Sequence, residues 1–90
     1  VMAQRQWYVY IIKASDESLY TGITVDLNRR LVEHQEGKVG AKYFRGRHAL
    51  GVVYSEDNHN RSSASKREAE IKKLTRKAKL ELIDSVIYHL

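Results

Sequence analysis

The sequence predicts an α+β fold in which one layer of three β-strands has two or three helices packed against it, in the order ββαβαα. Three observations support it: a run of β-branched and aromatic residues with a second short strand after it, a change from alternating to helical hydrophobic spacing, and a length of 90 residues. Since that length supplies a single core, we expect residues 1–90 to form one domain.

The first two strands are predicted to form a hairpin. Residues 7–12 are all β-branched or aromatic, and a polar turn at 15–18 separates them from a second strand at 19–21. Because side chains alternate along a strand, Tyr8 and Tyr10 are expected on the same face of the first strand.

The first helix is predicted to follow the hairpin. Asp26 suits its N-cap because the carboxylate can accept a backbone amide of the first turn. Leu27 and Leu31 begin the helical period, with Arg30 and His34 on the adjoining stripe. Both polar side chains are therefore expected at the edge of the helix that meets the sheet.

The second half of the chain is expected to hold the third strand and two further helices. The strand is predicted at 50–54, and a polar loop at 56–63 offers serines as N-caps for a helix over 64–74. Thr75 is expected to cap a third helix that continues through Ile83.

The chain is basic, with 16 Lys and Arg against 11 Asp and Glu and a formal net charge of +5. Positive charge is concentrated at 29–47, with six basic residues against two acidic ones, and at 61–79, with eight against two. Two such segments favour a groove that follows a nucleic-acid backbone. The alternative is a charged surface that keeps a small domain soluble.

The composition also excludes several classes of protein. Without cysteine the chain has no disulfides, no Cys zinc site and no thiol nucleophile. The longest apolar run, at 7–12, is six residues, too short for a transmembrane helix or a signal peptide. We expect a cytoplasmic protein that does not enter a membrane.

Several residue types suit the hydrolysis of a phosphodiester, which requires a base for water, a cation for the developing charge and often a metal ion held by oxygen ligands. They are the hairpin tyrosines, the Arg30 and His34 pair, and Glu68 on a basic helix. Each has a structural alternative: cross-strand packing for the tyrosines, and an ion pair or an exposed head group for Arg30.

Glu68 is open to two interpretations. With Ser65 as the N-cap, the two residues form a capping box and Glu68 stabilises the first turn of its helix. With Ser62 or Ser63 as the N-cap, Glu68 lies a turn inside the helix and faces the buried side. A carboxylate there is costly without a partner such as a metal ion.

The chain resembles the GIY-YIG nuclease superfamily over about residues 7–83. The matching segments are Tyr-Val-Tyr at 8–10, Tyr-Thr-Gly at 20–22, and Asp-Leu-Asn-Arg-Arg-Leu at 26–31 followed by His34. The segments at 42–47, 53–56 and 66–72 are similar to the small single-domain YhbQ-like members. The resemblance implies a three-stranded antiparallel sheet flanked by helices and a metal-dependent nuclease that hydrolyses DNA, with a role in DNA repair or recombination.

The resemblance also implies roles for individual residues. Tyr10 and Tyr20 correspond to two tyrosines of which one is the general base, and the choice between them stays open. Arg30 corresponds to the arginine that stabilises the scissile phosphate, and Glu68 to the glutamate that holds a single divalent metal ion, most plausibly Mg²⁺. His34 corresponds to a histidine that orients water or binds phosphate.

Further residues are expected to hold the nucleic-acid backbone: Thr24, Lys42, Arg45, Arg47, Lys72, Lys73 and Lys77. Ile23 stands where some repair-type members carry a lysine that lowers the tyrosine pKa. A phenol of ordinary pKa, about 10, therefore needs help from Arg30, His34 or a metal-bound water to act as a base at neutral pH.

DNA is the expected partner, and RNA is not excluded. The alternative function is a non-catalytic nucleic-acid-binding domain that keeps the same fold. It predicts binding that weakens with salt and no cleavage with any divalent ion. A purely structural basic domain would show neither nucleic-acid binding nor a response to metal ions.

Overall fold

Among the residues that the structure describes, three antiparallel strands form the central sheet, and three helices cover its faces. The computed structural model describes residues 5–37, 44 and 46–87. In chain order the elements are β1 (Trp7–Ala14), β2 (Leu19–Thr24), α1 (Leu27–Glu36), β3 (Ala49–His59), α2 (Arg61–Lys72) and α3 (Arg76–Ile87). The predicted α+β class, the antiparallel sheet and the order ββαβαα are confirmed.

β1 is the central strand because its side chains are apolar or aromatic on both faces. Val9, Ile11 and Ile12 are completely buried, and Tyr10 is 2% exposed. The strand pairs with β2 on one side and with β3 on the other. A strand with neighbours on both edges and both faces covered is expected to consist of consecutive apolar residues, as residues 7–12 do.

The two faces of the sheet carry separate halves of the core. Tyr10 and Ile12 face α1, whose Leu27 and Leu31 pack against them. Val9 and Ile11 face the opposite way, towards α2 and α3. The residues packed on that second face are Trp7, Leu19, Ile23, Val53, Tyr54, Ala64, Ile71, Leu82 and Ile83.

Local signals in the sequence correctly located α1 and the start of α3. The Asp26 carboxylate accepts a hydrogen bond from the Arg29 amide at 3.1 Å, as its predicted N-cap role requires. Gly37 ends α1 in the left-handed conformation, with φ at 70°. The Thr75 hydroxyl accepts from the Ala78 amide at 3.1 Å. Among the described residues, no helix is long and apolar enough to cross a membrane.

The prediction of a polar loop at 56–63 is wrong. β3 continues to His59, because Glu56 and His59 pair in register with β1 although their side chains are polar. α2 then begins at Arg61, with Asn60 as its N-cap: its side chain accepts from the Ser63 amide at 2.9 Å. None of the predicted serines is the N-cap, and Glu68 therefore does not belong to a capping box.

Gly22 allows β2 to pass beneath the ring of Tyr10. The two residues are partners in the β1–β2 register. A Cβ atom at position 22 would lie 2.5 Å from the Tyr10 hydroxyl oxygen and 2.7 Å from Cζ. An aromatic ring lying across a glycine in the neighbouring strand is a known way of covering exposed backbone.

We expect Gly22→Ala to destabilise the protein by about 1–3 kcal/mol, because the added methyl group must displace a buried ring. Gly51→Ala is the matched control, since a Cβ at position 51 meets nothing within 4 Å. It should change the free energy of unfolding by no more than about 0.5 kcal/mol. Urea unfolding measures both variants, and equal stability of the two would contradict the close approach of Tyr10.

Candidate functional site

A hydrogen bond between Tyr10 and His34 forms the centre of the site. The Tyr10 hydroxyl lies 3.1 Å from Nε2 of His34, and the two residues are 2% and 5% exposed. Tyr10 comes from β1 and His34 from the last turn of α1. The sequence placed His34 on the stripe of α1 that borders the sheet, and the structure shows that this stripe brings it onto the tyrosine.

Aromatic rings surround the imidazole of His34. Its centroid lies 5.2 Å from that of Tyr20, which approaches edge-on, and 4.8 Å from that of Phe44. Tyr20 and Phe44 also contact each other, at 5.2 Å between centroids. Sequence reasoning did not assign Phe44 to the site. The signal that could have found it is an aromatic residue within a strongly basic loop. An aromatic side chain is expected in such a loop only if it packs inward.

Burial sets the protonation state of both partners. Burial raises the pKa of Tyr10, as do the neighbouring Tyr20 and the charges of Glu68 and Glu33, while Arg30 acts in the opposite direction. Burial also lowers the pKa of His34, and the positive charge of Arg30 lowers it further against the effect of Glu33. At neutral pH the pair is therefore a protonated phenol beside a neutral imidazole.

The second ring nitrogen of His34 decides how the pair shares its hydrogens. Nδ1 is buried and has no hydrogen-bond partner within the part of the chain that the structure describes. If Nδ1 carries the hydrogen, the Tyr10 hydroxyl donates to Nε2. If Nε2 carries it, the imidazole donates to the Tyr10 oxygen, and the hydroxyl hydrogen points elsewhere.

Arg30 lies beside this pair on α1. Its Nη1 is 3.5 Å from Oε1 of Glu33, and a third of its side chain is exposed. Its charge acts on both Tyr10 and His34. A guanidinium that is partly accessible to solvent and held at the border of a buried pair is suited to bind an anion next to that pair.

Glu68, on α2, is the remaining charged residue that acts on Tyr10. Its carboxylate is among the charges that raise the pKa of Tyr10, and its side chain is 24% exposed. Lys72, one turn later, lies 3.4 Å away from Oε2. Of the residues that the sequence singled out, the structure places Tyr10, Tyr20 and His34 against one another, and the charges of Arg30 and Glu68 act on Tyr10.

The donor set at Glu68 fits Mg²⁺ with few protein ligands. No group of three or more His, Asp or Glu side chains suitable for a metal ion occurs among residues 5–37, 44 and 46–87. Mg²⁺ retains several waters and often uses only one or two carboxylates together with phosphate oxygens. The single carboxylate of Glu68 is compatible with that requirement, and Lys72 contacts it in this structure.

A polar network that sequence reasoning missed holds α2 against β3. Glu56 accepts from the Tyr54 hydroxyl and from Nε of Arg67, at 2.9 Å to Oε2, and lies 3.0 Å from Nε2 of His59. Burial opposes ionisation of Glu56, but these hydrogen bonds lower its pKa overall. Arg67 precedes Glu68, so the network fixes the part of α2 that carries the candidate metal ligand. No local pattern indicates it, because Glu56 lies in a segment that resembles a polar loop.

Of the remaining predicted contacts to nucleic acid, the structure describes four residues: Thr24, Arg47, Lys73 and Lys77. The Thr24 hydroxyl bonds to the backbone of Asp26, accepting from its amide at 3.1 Å. Arg47 Nε lies 3.1 Å from Oδ2 of Asp16. Lys73, the C-cap of α2, and Lys77 on α3 are exposed, whereas Lys42 and Arg45 are not among the described residues. Their contacts with a ligand stay predictions.

Comparisons with known proteins agree with the fold and with the motifs. A family model described as the GIY-YIG catalytic domain matches residues 6–81. A UPF0213 protein from Syntrophus aciditrophicus is 50% identical over 76 residues, which cover 84% of this chain and 87% of that protein. One from Clostridium perfringens is 54% identical over 78 residues, covering 87% and 83% of the two chains.

A solved structure is similar over most of its length. It is the solution NMR structure of a UPF0213 protein from Bacillus halodurans, 40% identical to this chain, with a TM-score of 0.55. The match covers 88% of this chain and 83% of the other. The sequence resemblance and the architecture of the sheet therefore lead to the same group of proteins.

The lowered pKa of His34 predicts how stability depends on pH. Its neutral form is favoured in the folded state, so this contribution is complete above the ordinary histidine pKa of about 6.5 and is lost as the pH falls below it. Wild type should therefore lose stability between pH 7.5 and 5, as measured by urea unfolding at several pH values. The His34→Gln variant should lose clearly less over the same range.

His48→Gln is the control, because His48 is exposed. It should keep the pH dependence of wild type. The buried position of His34 would be contradicted if its replacement left the slope unchanged.

Proposed function

This chain belongs to the GIY-YIG catalytic-domain family, a family of nucleases, and we propose that it is a divalent-metal-dependent nuclease that hydrolyses phosphodiester bonds in DNA. The observation that carries the proposal is the hydrogen bond of the buried Tyr10 phenol with His34, together with the charges of Arg30 and Glu68 that act on the same phenol. These groups come from β1, α1 and α2, and a purely structural role does not require them to converge.

Arg30 is the residue that binds the scissile phosphate. Its charge is permanent, and its fork of donors can hold two phosphate oxygens at once. Glu33 already orients the guanidinium at 3.5 Å. A phosphate placed there adds negative charge next to Tyr10 and His34, where it offsets the effect of Arg30 on the pKa of the imidazole. Substrate binding thus makes His34 a stronger base than it is in the free protein.

Tyr10 and His34 together remove the proton from the attacking water. The raised pKa of Tyr10 prevents it from acting as a phenolate. With the hydrogen of His34 on Nδ1, the Tyr10 oxygen accepts a proton from water while its own hydroxyl proton passes to Nε2. The phenol stays neutral throughout this transfer, and Tyr10 is the tyrosine that relays the proton. Tyr20 packs edge-on against the imidazole and holds its ring in place.

Glu68 is the residue that would hold the divalent ion, which when bound supplies positive charge beside the phosphate. Lys72 must release Glu68 for this to happen, because it lies 3.4 Å from the carboxylate. The released Lys72, together with Lys73 and Lys77, forms a basic surface that can hold the DNA backbone. We infer a role in DNA repair or recombination, in which DNA structure rather than sequence selects the target.

A plasmid-nicking assay tests the proposal. Arg30→Ala should reduce Mg²⁺-dependent nicking by about 10²–10³-fold, the usual loss when a stabiliser of the transition-state charge is removed. Glu68→Gln should cause a comparable loss that higher Mg²⁺ concentrations partly restore. The control is Glu81→Gln, since Glu81 is exposed on α3.

Equal nicking by wild type and all three variants would contradict the catalytic roles. If wild type binds DNA but does not cut it with any divalent ion, the protein is instead a non-catalytic nucleic-acid-binding domain.

The relay between Tyr10 and His34 predicts that their substitutions are not additive. Tyr10→Phe and His34→Gln should each lower the nicking rate by about 10²-fold, in the range typical of general base catalysis. The double variant should be no slower than the slower single variant, because either change already interrupts the proton transfer. A rate equal to the product of the two separate losses would show that the residues act independently.

A further inference from the structure

A cleft separate from the candidate site lies near the start of β1, on the sheet face opposite to Tyr10. It has a volume of about 410 Å³ and is lined by Arg5, Trp7, Asn60, Arg61 and Ser62. Trp7 belongs to the core half that packs beneath α2 and α3, yet its side chain is only partly buried. The nuclease mechanism derived from Tyr10 uses none of these residues.

The cleft carries two positive charges without a matching carboxylate. Within the described part of the chain, neither Arg5 nor Arg61 makes an ion pair, whereas Arg29, Arg30 and Arg67 each contact an acidic side chain. Asn60 is already engaged in capping α2. The attraction of the cleft for an anion therefore comes from the two arginine side chains rather than from the end of the helix.

The cleft also contains a flat aromatic surface. The guanidinium carbon of Arg61 lies 5.8 Å from the centre of the Trp7 ring, a cation–π arrangement. Indole rings and guanidinium planes are the two side-chain groups on which unpaired nucleobases stack. Contacts of this kind at exposed positions are weak, so a base can stack on the pair or displace Arg61 from the ring.

We propose that this cleft, defined by Arg5, Trp7 and Arg61, binds an unpaired nucleotide of the nucleic-acid substrate. Trp7 and Arg61 stack on the base, and the two arginines contact the adjoining phosphates. A base within a duplex has no exposed face, so the cleft selects DNA with a single-stranded segment next to the cleavage site. This inference rests on the proposed function, because that function supplies the class of ligand, a nucleic acid. It does not require that the protein cleaves this ligand.

The distance between the two sites is compatible with one substrate strand. Trp7 precedes Tyr10 by three residues on β1, which corresponds to about 10 Å along the strand. The two residues lie on opposite faces of the sheet, so a substrate strand must also pass around its end. A strand that bends around the end of the sheet can therefore occupy both sites.

Trp7 provides a direct experimental signal, because it is the single tryptophan of the chain. Oligothymidylate added to the full chain in EDTA, which prevents cleavage, should quench the Trp7 emission to saturation. A blunt duplex of the same length should cause little quenching. Arg61→Gln should weaken the affinity for oligothymidylate by about 3–10-fold, in keeping with the loss of one charged and stacked contact.

Lys13→Gln is the matched control, since it removes one positive charge from the far end of β1. It should leave the affinity within about twofold of wild type, the effect of a distant charge screened by salt. Arg61→Gln should fold normally, because a positive charge in the first turn of a helix is unfavourable. Urea unfolding checks that expectation.

Anisotropy of a labelled oligothymidylate completes the test. The proposal is overturned if the labelled strand binds without quenching Trp7, if the duplex quenches equally, or if the Arg61 and Lys13 variants bind alike. Quenching that persists in Arg30→Ala, together with an absence of cleavage in wild type, would support the cleft while rejecting the nuclease. Cleavage by wild type without quenching of Trp7 would support the nuclease and reject the cleft.

Discussion

The placement of the Tyr10 side chain is the constraint on which the rest of the site depends. Its ring lies across Gly22 of β2, where a Cβ would meet the hydroxyl at 2.5 Å, and that hydroxyl bonds to His34 of α1. One side chain of the central strand thus fixes the edge strand and the first helix relative to each other. The same burial that makes this contact rigid also keeps the phenol protonated, so structure and chemistry are set by a single arrangement.

In the proposed mechanism, the charges around Tyr10 make the free protein less reactive than the protein with substrate bound. Arg30 lowers the pKa of His34 and opposes the effects of Glu33 and Glu68 on Tyr10. Lys72 meanwhile neutralises Glu68 at 3.4 Å. In the proposed mechanism, a phosphate and a cation replace these internal partners. In that mechanism, His34 becomes a stronger base and Glu68 is released from Lys72 only when substrate and metal ion are bound.

The two proposals together use both faces of the sheet, although the proposed chemistry takes place on one of them. The network of Glu56 with Tyr54 and Arg67 fixes α2 against β3 on the face opposite α1. α2 carries Glu68, whose charge acts on Tyr10, and, at its first residue, Arg61, which lies over Trp7. A small domain can combine a reactive centre and a second contact for its substrate in this way, because one helix connects them.

The sequence by itself determined the order of the elements, the caps at Asp26 and Thr75, and the family, because periodicity, capping and motif spacing are local properties of the chain. It also singled out Tyr10, Tyr20 and His34, whose side chains lie against one another in the structure. Only the tertiary structure decided that β3 continues through Glu56 and that Tyr10 bonds to His34. Both features join segments far apart in the chain, whereas the contact of Lys72 with Glu68 is a local one between residues four apart on α2. The energy of the two long-range features comes from packing and pairing, which composition and local pattern do not encode.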